Sequence, residues 1–134
     1  MQTKKVLSAD DVKKIAQAAE AEAKKNNWAV TIAIVDDGGH LLWLQRLDGA
    51  APVSAYIGPE KARASALGRR ETKVYEDMIN HGRTAFLSAP LEGMLEGGVP
   101  ILVDGQVIGA VGVSGVKSSE DAQIATAGLA ALRT

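Results

Sequence analysis

The stretch GGVPILVDGQVIGAVGVSG, Gly97 to Gly115, reads as two β-strands around a tight turn. Apolar residues fill Val99–Val103 and Val107–Val113, and Asp104-Gly105 lies between them. Asp-Gly between apolar runs signals a hairpin, because the central residues of a type I′ turn need positive φ. The second strand carries Gly109 and Gly112 in its interior. A strand glycine forfeits side-chain packing, so it marks a bulge or a place where another backbone or a ligand comes close. The room at Gly109 and Gly112 suits either the last helix of the chain or a bound molecule.

Upstream, Ser8-Ala-Asp-Asp11 has the spacing of a capping box, with Leu7 and Val12 placed as its staple. Ile15, Ala16, Ala19 and Ala23 follow at helical intervals, which predicts a helix over 9–25, ended by Asn26-Asn27. Ala29–Val35 and Leu41–Leu47 flank Asp36-Asp37-Gly38-Gly39 and predict a second hairpin. Leu47 to Pro59 reads as a loop, with Pro59 in the first turn of a helix that continues through Glu60–Leu67. Glu71–Asn80 predicts another helix, closed by His81-Gly82. Arg83–Gly97 contains Pro90 and reads as loop with one short turn or strand. Downstream, Ser118-Ser-Glu-Asp121 repeats the capping-box spacing, and Ile124, Ala127, Gly128, Ala131 and Leu132 give the last helix its apolar stripe. The order αββααββα implies an α+β fold, an antiparallel sheet with helices packed on it, in one domain over 1–134.

The composition narrows the function classes. With 15 basic and 16 acidic residues the net charge is −1, so no general field attracts nucleic acid. Cysteine is absent, which removes disulfides, thiolate metal sites and cysteine nucleophiles. No apolar stretch approaches the ~20 residues of a membrane helix, and nothing has the form of a signal peptide. The expectation is a cytoplasmic protein with no membrane or nucleic-acid partner. Aromatic residues are 4% of the chain, so the core must be built from Ala, Val, Ile and Leu in close contact.

Several segments together resemble the GlcG/HbpS family, which includes the C-terminal domain of PduO-type proteins. They are Val35–Leu42 (VDDGGHLL), Leu44–Asp48 (LQRLD), Lys61-Ala62, Gly97–Ile101, Val107–Gly115, and Asp121 with Ala127–Ala130. The resemblance covers nearly the whole chain. It implies a profilin-like sheet of about five antiparallel strands flanked by helices, with the fifth strand coming from Arg83–Gly97 or from a split strand. It also implies homo-oligomers and a small-molecule ligand. Some relatives bind haem; others sit in operons for glycolate use, diol use or aromatic breakdown. In PduO-type domains a first-helix histidine is the axial ligand, and residues 9–25 here contain none.

The candidate site residues each carry two readings. Arg46 and Asp48 lie two apart at a strand end and so share a face: an ion pair that positions the next loop, or a guanidinium that clamps a carboxylate. Lys61 near a helix start is a solvated cation or an anion contact. His81 at a helix end satisfies the last carbonyls or serves as ligand or general acid/base, with Arg83 beside it as an anion contact. His40 follows a turn, where a histidine is usually only solvated. Gly98, Gly112 and Ser114 line the glycine-rich hairpin, where a pocket is expected; Gly112-Val-Ser114-Gly115 is not a nucleophile elbow. No residue set has metal-ligand spacing. The leading reading is a ligand-binding protein, with haem suggested by the family and a small organic acid by the arginines. The rivals are a metal-independent enzyme on a small carboxylate, with His81 as acid/base, and a structural oligomeric partner.

Overall fold

The computed structural model describes residues 1–133. Its elements are α1 (Ala9–Lys25), β1 (Thr31–Asp36), β2 (Leu41–Arg46), α2 (Ser54–Gly68), α3 (Thr72–Asn80), a 3₁₀ helix (Thr84–Ser88), β3 (Gly98–Val103), β4 (Gln106–Ser114), α4 (Ser118–Ala130) and a closing 3₁₀ turn (Ala131–Arg133). The α+β class and the αββααββα order stand. The sheet has four strands in the order β2-β1-β4-β3, and every neighbouring pair is antiparallel. The fifth strand expected from Arg83–Gly97 does not form. That segment holds a 3₁₀ helix, Pro90, and Gly93 and Gly97 at φ +67° and +133°. Those backbone values cannot continue an extended ladder.

Local signals set most boundaries. Ser8 caps α1 reciprocally: the Asp11 N–H donates to Ser8 Oγ at 3.1 Å and the Ser8 N–H to Asp11 Oδ2 at 2.9 Å. Asp104 and Gly105 both have positive φ, +53° and +74°, as a type I′ turn requires. The cap of α4 differs by one residue from the expected one. Lys117 is the cap, and its N–H donates to the Glu120 carboxylate at 3.3 Å. Asp121 is thereby released for the interior.

Strand alternation splits the core in two. Ile32, Ile34, Val99, Ile101, Val111 and Val113 meet Ile15, Ala16 and Ala19 of α1 and Ile124, Ala125 and Leu129 of α4. On the opposite face Ala33, Val35 and Ala110 meet Ala62 and Ala66 of α2. This second layer consists of small residues because α2 lies almost against the sheet backbone. A Cβ on Gly112 would sit 2.2 Å from the Gly58 carbonyl oxygen and 2.4 Å from the Ala62 nitrogen. One on Gly98 would sit 2.4 Å from the Lys61 carbonyl oxygen. The close approach inferred from the strand glycines is therefore made by α2, not by the last helix. Gly109 faces the other layer, where a Cβ would meet Val35 O at 2.4 Å and the Leu7 side chain at 2.8 Å.

Helix α2 also begins earlier than expected, at Ser54, with Pro59 inside it. A proline disfavours helical geometry in the residue before it through that residue's Cβ. That residue is Gly58, which has none, and its open side rests on Thr31 and Gly112. Buried Ser54 and Thr31 share a 2.7 Å hydroxyl–hydroxyl hydrogen bond that ties the helix start to β1. Among the described residues no helix is long and apolar enough to cross a membrane.

Gly112→Ala is expected to destabilise the fold by at least ~3 kcal/mol, the upper end of overpacking costs. The comparison is Gly105→Ala, at a turn with nothing within 4 Å, where only the left-handed backbone penalty of about 1 kcal/mol applies. Urea unfolding midpoints of the two variants check the ranking.

Candidate functional site

The sequence-predicted residues fall in three separate places, with His40 apart from all of them. The first is the α2–sheet contact. Lys61 lies in the middle of α2 rather than at its start, and its side chain is 3% exposed. Its Nζ donates to Val113 O at 3.0 Å and to Asp121 Oδ2 at 3.1 Å. Asp121 is equally buried, and its Oδ1 accepts the Val116 N–H at 3.1 Å. Burial pushes the Asp121 carboxyl above the ordinary aspartate range, and the Lys61 ammonium offsets part of that shift. Lys61 is thus an internal cross-link between α2, β4 and the start of α4. Gly98 and Gly112 lie under α2, which occupies the space a ligand was expected to take at the glycine-rich hairpin. Ser114 is 7% exposed at the end of β4, opposite Thr31.

The second place is a cleft of about 450 Å³ between the end of α1 and the end of β2, lined by Glu20, Lys24, Asn27, Trp28 and Gln45 with Arg46 and Asp48. Arg46 Nε donates to Ala50 O at 3.1 Å, which fixes the guanidinium over the following loop. Lys24 pairs with Glu20 at 2.8 Å, and hydrogen bonding to Lys24 holds the Glu20 carboxyl below its usual range. Arg46, the last residue of β2, and Asp48, in the turn beyond it, both line this cleft of balanced charge. His40 is elsewhere, exposed at the β1–β2 turn, with its Nδ1 3.0 Å from Asp36 Oδ1.

The third place was not legible as a site. His81 and Arg83 are exposed where α3 ends. There α3, the 3₁₀ helix and residues 89–95 enclose two adjoining hollows. One, about 350 Å³, is walled by Ile79, Leu87, Leu91, Met94 and Leu95, with Glu76, Asn80 and Glu92 at its rim. The other, about 600 Å³, is polar and lined by Glu60, Arg63, Ala89 and Pro90. Leu87, Leu91 and Glu92 belong to both. Arg63 lies 3.9 Å from Glu60, so this end holds both a cation and carboxylates.

Three contacts hold the groove in place. Tyr75 stacks on Phe86 with ring centroids 5.4 Å apart, fastening the 3₁₀ helix to α3. Buried Thr72 Oγ1 donates to Leu95 O at 2.5 Å and accepts the Gly98 N–H at 2.8 Å. Gly93, at φ +67°, lies on α2, where a Cβ would be 2.5 Å from the Glu60 carbonyl carbon. Beyond His81 and Arg83, no motif in the sequence points to this arrangement. Its walls come from separate segments without a common period, and Thr72 looks like any surface helix residue. Asp121 was hidden because its spacing also fits a cap.

Comparison with known proteins agrees with this architecture. The model of the family described as haem degrading protein HbpS-like matches residues 7–130. The chain is 63% identical over 114 residues to Protein GlcG of Escherichia coli strain K12, covering 85% of each. The crystal structure of Klebsiella pneumoniae protein ORFY matches with a TM-score of 0.91 at 29% identity, covering 100% of this chain and 95% of that one. A PduOC–haem complex matches with a TM-score of 0.84 at 27% identity, covering 95% of each chain.

Lys61→Met strands the Asp121 carboxylate in the interior and is expected to cost on the order of 3–5 kcal/mol at neutral pH. The Asp121 pKa is already raised in the fold, and loss of Lys61 raises it further. A raised carboxyl pKa means the folded state holds its proton more tightly, so stability is greatest below the ordinary aspartate pKa and declines as pH climbs through the folded value. The deficit of Lys61→Met is accordingly expected to narrow on acidification. Urea unfolding of both proteins across pH 4–8 measures it.

Proposed function

The chain belongs to the HbpS-like family, and from that premise we propose that it is a small-ligand-binding protein. Its ligand is an amphipathic plate, haem in the first instance, held in the groove beside α3. The supporting observation is the junction of the two hollows. An apolar wall of Ile79, Leu87, Leu91 and Met94 runs directly into a polar end that contains Arg63. A flat apolar macrocycle with carboxylates on one edge needs that combination: apolar area to leave water, and a guanidinium for the acid groups. That PduOC is seen with haem fits the same ligand class.

The donor set meets the needs of iron. Histidine and methionine are the common axial ligands besides thiolate and tyrosinate. Met94 lines the apolar hollow, and His81 directly follows Asn80 on its rim. Residues 9–25 contain no histidine, so the family's first-helix ligand has no counterpart here. His81 or Met94 would hold the iron, Arg63 and Arg83 would take the propionates, and the leucines would exclude water. The bound iron would supply redox and ligand-exchange chemistry that protein side chains lack.

A second reading is favoured by the Arg46 cleft. There Arg46, fixed through its Nε to Ala50, and Lys24 present cations to a hollow of about 450 Å³ that suits a small organic acid.

Titration with haemin tests the first reading. A saturable, shifted Soret band is expected, with loss or displacement of that band in whichever of His81→Ala and Met94→Ala removes the iron ligand. Leu87→Glu changes an exposed groove residue and is expected to weaken binding about tenfold or more, since a buried Leu contact is worth ~1.5–3 kcal/mol. Absence of a saturable shift, or equal affinity in Leu87→Glu, would sink this reading.

A further inference from the structure

The Arg46 cleft holds two opposite charges that the chain itself leaves unmatched. Glu20 and Lys24, which line it, pair with each other at 2.8 Å. Arg46 donates its Nε–H to the Ala50 carbonyl, and its two Nη groups make no hydrogen bond or ion pair among the described residues. Asp48, in the turn after β2, has no hydrogen bond or ion pair among them either. Its carboxylate acts only at longer range: after the hydrogen bond and charge of Glu20, it adds to the field that raises the Lys24 pKa. The ion pair that the spacing of Arg46 and Asp48 allows does not form.

Gln45, also in the lining, holds a third unused group. After Lys24, its amide is the further hydrogen-bond donor that holds the Glu20 carboxyl low. A carboxylate only accepts, so the Gln45 NH2 makes that bond and Oε1 takes no part in it. Oε1 is buried and has no hydrogen-bond partner. A buried carbonyl without a donor costs stability until one reaches it. Two acceptors, Asp48 and Gln45 Oε1, and one forked donor, Arg46, thus border one hollow, and Trp28 and Leu47 give it an apolar wall.

We propose that the cleft binds a zwitterion, an α-amino acid, with its carboxylate on the Arg46 Nη groups and its ammonium between Asp48 and Gln45 Oε1. This rests on the reading of the cleft as a small-acid site and names the class of acid. A plain carboxylate on Arg46 would face Asp48 and Glu20 as like charges and leave the Gln45 carbonyl without a donor. An ammonium on the neighbouring carbon makes Asp48 a partner and supplies that donor. The end of α1, which borders the cleft through Lys24, favours the same arrangement, because a helix C-terminus attracts a cation. The guanidinium fork matches a carboxylate in two parallel hydrogen bonds. Trp28 and Leu47 receive the side chain.

NMR titration of the wild type with L-alanine, propionate and ethylamine tests this, since each of the last two lacks one charged group of the first. Affinity for L-alanine is expected to exceed that for either of the others at least about tenfold, the factor that one hydrogen bond to a charged group carries. The Gln45 side-chain amide and the Arg46 Nε–H are expected to shift. Asp48→Asn is expected to bring L-alanine down to the affinity of propionate and to leave propionate binding equal or tighter. Arg46→Gln is expected to remove the binding of both. The ligand comparison is made on the wild type, so it stands whether or not a variant folds. Propionate bound in the cleft as tightly as L-alanine would overturn the proposal and leave the small-acid reading in place. Binding of neither would overturn both. Undiminished L-alanine binding in Asp48→Asn, or shifts confined to residues outside the cleft, would also overturn the proposal.

Discussion

The close seating of α2 on the sheet is the constraint from which the rest of the structure follows. Gly58 on the helix and Gly98 and Gly112 on the strands remove the side chains that would separate the two backbones. At that separation four alanines and Val35 fill the space between them, so this layer of the core gains little from area and depends on fit. The same closeness traps the Lys61 side chain inside. A buried ammonium is tolerable only with a carboxylate and further acceptors around it, which Asp121 and the Val113 carbonyl provide. The start of α4 is thus fixed by a residue on the other side of the sheet.

The groove beside α3 depends on the same contact. Gly93 brings residues 89–95 onto the α2 backbone, and Thr72 hydrogen-bonds both to that segment and to the first residue of β3. Without α2 held at this distance the groove would lose its floor. The glycines that suggested a ligand at the hairpin therefore act indirectly. They admit a helix, and the helix shapes a hollow elsewhere.

Local features were legible in the sequence because their causes are local. The Asp104-Gly105 turn, the Ser8 cap and the apolar period of α1 each depend on residues within a turn of one another, and each appears where expected. Arg46 and Asp48 line one cleft, although β2 ends at Arg46 and Asp48 lies in the turn beyond it. What could not be read was set by tertiary contact. Pro59 signals a helix start by itself, yet Gly58 before it and the Thr31–Ser54 hydrogen bond let the helix begin at Ser54. Ser118-Ser-Glu-Asp121 fits a cap by spacing, but the α2 lysine claims Asp121. The extra strand expected of Arg83–Gly97 was carried by resemblance, against the proline and glycines in the segment itself.

The strand order also sets where the two candidate ligand sites lie. In the order β2-β1-β4-β3, α3 packs at the β3 end, so the groove beside it lies across the sheet from β2. The Arg46 cleft is built on β2 itself: Gln45 and Arg46 line it. The two sites thus belong to opposite edges of the sheet, and only the α3 groove depends on the seating of α2, through Gly93.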